Sequence, residues 1–123
     1  DKNMKDIKDL SLASTLRKLR DSEEAHIRGI RRMLDNEKCN AVEIQIRRSI
    51  KYEAKEKYSK PRGAEEALNL ALVREKSAFD FYSHFCKQLL GNTESLPLLV
   101  VLRKLSYVEK SHIKIIEGML KNL

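Results

Sequence analysis

One stretch of this chain occurs twice: LRKLRDSEEAHIRGIRRML, from Leu16 to Leu34, aligns with LRKLSYVEKSHIKIIEGML, from Leu102 to Leu120, at an offset of 86 with ten of nineteen positions identical. Within it an apolar seam runs through Leu12, Leu16, Leu19, Glu23, His26, Ile30 and Met33, and again through Leu98, Leu102, Leu105, Glu109, His112, Ile116 and Met119. The spacing alternates four and three, which is the inward face of a helix packed in a bundle. Each copy interrupts that face in the middle with a Glu and a His.

Length and composition agree with a bundle. A chain of 123 residues has room for one domain, and its four Gly and two Pro are too few for the turns of a many-stranded sandwich or barrel. The fold class expected is all-α. The longest apolar run, Leu96 to Leu102, contains Pro97 and falls far short of the roughly 20 residues that cross a bilayer. The opening DKNMKDIKDL lacks a secretory apolar stretch, and Cys39 and Cys86 form no C-x-x-C pair, which fits a cytoplasmic, reducing compartment. A net charge of +7 would suit nucleic acid or an acidic partner, but the basic residues are interleaved with acids as on ordinary helix surfaces, so nucleic acid is not the expected ligand.

Helical periodicity predicts three long helices, over Ser11 to Leu34, Ala64 to Leu90 and Leu96 to Leu120. Gly91-Asn92 ends the second, Ser95 is placed to cap the third, and the two form an antiparallel hairpin. Between Asp35 and Gly63, Val42, Ile44 and Ile46 alternate like a strand while Ser49 to Tyr58 reads as helix, so an irregular, partly helical connection is expected. Such a crossover would leave its flanking helices parallel.

A carboxylate in a core costs several kcal/mol or takes up a proton unless something positive neutralises it. A metal ion is the economical candidate, since Glu and His three apart on a helix lie about 60° apart and can reach the same or adjacent ions. The middle helix adds an inner stripe of Leu68, Leu72, Glu75, Ala78, Tyr82, Cys86 and Leu89, in which Glu75 is the only acid and can bridge two ions. Tyr82 could hydrogen-bond a ligating carboxylate or simply fill space. Without metal, His26 and His112 would be satisfied core histidines and Glu23 and Glu109 would pair with arginines reaching inward. His84 lies opposite Glu75 around the helix and is assigned no role.

With E-x-x-H at Glu23/His26 and Glu109/His112 and a lone-Glu helix written ALNLALVREKSAFDFY, the chain resembles the rubrerythrin group of the ferritin-like superfamily over its three long helices. The resemblance implies a ferritin-like bundle holding two iron ions, with manganese or zinc as substitutes, on Glu23, His26, Glu75, Glu109 and His112. It also implies a non-haem di-iron oxidoreductase that reduces hydrogen peroxide, with Glu75 bridging and Tyr82 beside it. Iron oxidation, storage or other metal handling is a second reading within the family, and a metal-free basic helical binding module is a third outside it.

The pattern departs from the family in lacking the hairpin partner of the first E-x-x-H helix. Carrying the offset back from Glu75 places its counterpart before Asp1, so a preceding segment of about 25 residues is expected, with DKNMKDIKDL as the loop after it. Charge points the same way, because Glu23, Glu75 and Glu109 supply three negative charges where two divalent ions carry four positive ones. A fourth acid could come from that segment, from Glu53 or Glu56, or from a second copy in a homo-oligomer such as a domain-swapped dimer. No rubredoxin-like four-cysteine module follows Leu123, so electrons are expected from a separate, rubredoxin-like redox partner.

Overall fold

A computed structural model describes the backbone of residues 2–35, 39–53 and 62–123, and the side chains of 10–35, 39–50 and 62–123. Four α-helices are present among the described residues: α1 (Lys2–Leu34), α2 (Ala41–Glu53), α3 (Ala64–Leu89) and α4 (Leu96–Lys121), with a single 3-10 turn (Thr93–Ser95) before α4. The all-α class holds. Among the described residues no helix is long and apolar enough to cross a membrane.

Two elements differ from the sequence expectation. Helix α1 starts at Lys2 rather than Ser11, so most of DKNMKDIKDL is helical instead of forming a loop. In the connection, Val42, Ile44 and Ile46 belong to a helix and not to an alternating strand. Its start is set by a reciprocal cap, in which the Glu43 N–H donates to Asn40 Oδ1 at 2.9 Å while the Asn40 N–H donates to Glu43 Oε1 at 3.1 Å. Asn40 Nδ2 also donates to the hydroxyl of buried Ser95 at 2.7 Å, tying the start of α2 to the start of α4. Ser95 therefore precedes α4 without capping it through its side chain.

Helices α3 and α4 are the most closely packed pair and form the expected hairpin. Glu65 and Glu66 occupy the first turn of α3, where the helix dipole favours negative charge. Past its end Gly91 takes φ +82°, a left-handed conformation strained for any residue with a Cβ, which lets the chain reverse.

The buried apolar side chains form two clusters. One combines Ile30 and Leu34 of α1, Ile46 and Ile50 of α2, Tyr82 and Phe85 of α3, and Leu98 and Leu102 of α4. The other centres on Leu19, Leu68 and Ile116, with Leu12, Leu16, Leu72 and Met119 packed against it. Along α1 and α3 the chain passes from the second cluster to the first, and along α4 it passes back. Helices α1 and α3 are thus parallel, as a long crossover requires, with α4 antiparallel to both. Four helices meet around the first cluster, whereas the second draws on α1, α3 and α4 only. The seam of α1 closes on Leu34, 1% exposed, rather than on Met33, which is 36% exposed.

Candidate metal centre

The stretch of each helix between the two apolar clusters carries the ionisable residues: Glu23 and His26 on α1, Glu75 on α3, Glu109 and His112 on α4. The even four-three seam keeps these positions facing inward, so the apolar residues that bury the clusters also bury the acids. Glu109 is 0% exposed and Glu75 2%, while Glu23, His26 and His112 are half-buried.

The contacts run between helices. His26 Nδ1 of α1 stands 3.5 Å from Glu109 Oε1 of α4, and His112 Nδ1 of α4 stands 3.3 Å from Glu75 Oε2 of α3. Within the second E-x-x-H, His112 Nδ1 is 3.7 Å from Glu109 Oε2. Both imidazoles thus turn the same ring nitrogen inward. Burial pushes the Glu109 carboxyl up, but contacts with His112, His26 and Glu23 outweigh it and hold the group at about 2. Glu109 is an anion enclosed in protein.

One donor atom from each of Glu23, Glu75, Glu109 and His112 lies within 4.8 Å of all the others, so this group could hold a metal ion. Both Glu109 oxygens and His26 Nδ1 are buried without a hydrogen bond. Buried polar atoms are rarely left so, and a cation among them would satisfy all three. Carboxylate oxygen with imidazole nitrogen is a donor set that suits iron, manganese or zinc. The residues present fit a metal.

Four of the five residues expected to bind metal share this group, and the fifth, His26, lies beside it against Glu109. Tyr82 is buried in the first apolar cluster with its ring edge-on to Phe81 at 5.6 Å, two turns along α3 from Glu75. The ion-pair partners described for Glu75 and Glu109 are the two histidines. Glu56 and the side chain of Glu53, both named as sources of a fourth acid, lie outside the described residues. His84 is exposed, as its place on the helix requires.

Ser22 escaped the sequence reading. Its hydroxyl lies 3.3 Å from His26 Nε2, the ring nitrogen that faces away from Glu109. With the ring proton on Nε2, the hydroxyl accepts it and Nδ1 keeps its lone pair for the cluster. A hydroxyl four residues before a histidine on one helix face is the available signal. The offset of 86 puts Val108 at the matching place in the second copy, which can make no such bond.

Cys39 is half-buried, donating to the Leu34 carbonyl at 3.3 Å and accepting from Arg47 Nη2 at 2.8 Å. Burial pushes the half-buried Cys86 thiol up, opposed by the nearby Arg103 charge. Comparison with family models, curated proteins and solved structures returns no match to this chain.

Proposed function

We propose that this chain is a ferritin-like, rubrerythrin-type di-metal protein that reduces hydrogen peroxide with electrons from a separate redox protein. The observation that carries the reading is Glu109: a fully buried carboxylate, its oxygens without hydrogen bonds, facing histidines from the two copies of one repeat. An apolar core does not keep such a group without a counter-charge.

Glu23, His26, Glu75, Glu109 and His112 would hold two iron ions, which when bound supply reversible one-electron exchange. The chain's own residues set the conditions. Glu75 and Glu109 concentrate negative charge in a site of low dielectric, which favours the more highly charged oxidised pair. The Ser22 hydroxyl lies 3.3 Å from His26 Nε2, where it would accept the ring proton when the imidazole binds metal through Nδ1. Apolar clusters lie on either side of the site. Conversion of one peroxide to two waters takes two electrons and two protons, and the basic surface suits delivery of the electrons by an acidic carrier.

The test is anaerobic loading with ferrous iron, followed by metal analysis and then peroxide titration monitored by absorption. Two ions per chain and two ferrous ions oxidised per peroxide are expected. A ferrous protein indifferent to peroxide would overturn the peroxidase reading, and a chain that retains no metal would overturn the site itself.

A further inference from the structure

The two halves of this site are not equivalent, although the repeat makes their sequences alike. Glu23, Glu75, Glu109 and His112 offer four donor atoms within 4.8 Å of one another, three of them carboxylate oxygens. His26 is outside that group, and its contact is with Glu109 Oε1, at 3.5 Å. We infer that the site fills in order: a first divalent ion takes the Glu23, Glu75, Glu109 and His112 position, and a second, weaker position lies between His26 Nδ1 and Glu109 Oε1. The inference rests on the metal-site reading above.

Charge supports the order. A first dication enters a cluster of three carboxylates and leaves it net negative, whereas a second turns it net positive in a medium of low dielectric. The second ion also shares Glu109 with the first and gains one new donor, His26. The Ser22 hydroxyl, 3.3 Å from that donor's Nε2, lies on the side of the ring away from Glu109.

Cobalt(II) titration of the metal-free protein tests this, because the visible bands of cobalt report each binding step without any turnover. Wild type is expected to bind two ions in two steps separated by at least tenfold in affinity. His26→Ala should keep the first step within about threefold and lose the second, and His112→Ala should weaken the first at least tenfold. His26→Gln serves beside the alanine variant, and far-UV circular dichroism checks that each variant is folded. Two ions bound in one step, or equal weakening of the first step by both histidine changes, would overturn the filling order while leaving the di-metal reading intact. Wild type that binds no cobalt would bring down the reading on which the order rests.

Discussion

At Glu109 burial and charge act in opposite directions, and the outcome can be measured. Desolvation favours the neutral acid, yet the contacts with His112, His26 and Glu23 hold the carboxyl at about 2, below its ordinary 4.5. Because the folded value is the lower one, the carboxylate stabilises the fold above pH 4.5, and that contribution disappears as pH falls towards about 2. With chelator present, the unfolding free energy of wild type measured in urea should fall more steeply across this window than that of Glu109→Gln. The difference in slope can reach about 1.4 kcal/mol per pH unit for one proton. Parallel curves for the two proteins would show that Glu109 is not held as an anion. The convergence of these residues was legible in the sequence, since a four-three seam puts Glu23, His26, Glu109 and His112 on inward faces and Glu75 is alone on its stripe. Which histidine meets which carboxylate was not, because the period of one helix says nothing of its register against the next. The cross-pairing of His26 with Glu109 and of His112 with Glu75 follows from that register.

At the scale of elements, α2 shows how a local signal can outweigh a periodic one. Val42, Ile44 and Ile46 alternate as a strand would, but Asn40 and Glu43 stand three apart with the reciprocal bonds of a helix start, and the segment is helical. That cap was the readable clue. The three long helices were legible because their apolar spacing persists over many turns, whereas among the described residues of the connection Val42, Ile46 and Ile50 join the first cluster. The same asparagine bonds Ser95, so it positions two helices at once. Asn40→Ala should destabilise the protein by about 2 kcal/mol in urea unfolding, from the lost cap and the lost bond to buried Ser95. Ser49→Ala, which removes only a hydroxyl bond to the Gln45 carbonyl within α2, should cost less than about 0.5 kcal/mol. Equal effects from the two changes would mean that the cap does not anchor α2.

Across the whole molecule, the layer of acids and histidines divides the core, and the helices do not depend on it equally. Helices α3 and α4 pack closely over the length of their hairpin. Helix α1 meets them through an apolar cluster on either side of the ionic layer, and its Glu23 and His26 face acids and a histidine on the other helices. A bound ion would therefore clamp α1 to the hairpin, and opening of α1 would require its release. Ligand lost on opening multiplies protection by one plus the ratio of free ligand to Kd, about a hundredfold when zinc is present at a hundred times Kd. Hydrogen exchange with redox-silent zinc should then slow the amides of α1 around Leu19 to Ile30 by up to about that factor, with little change in α3 and α4. If zinc slowed all three helices alike, α1 would not be opening separately and the clamp would have no meaning. If it slowed α1 alone, the ions would be part of what holds the tertiary structure together.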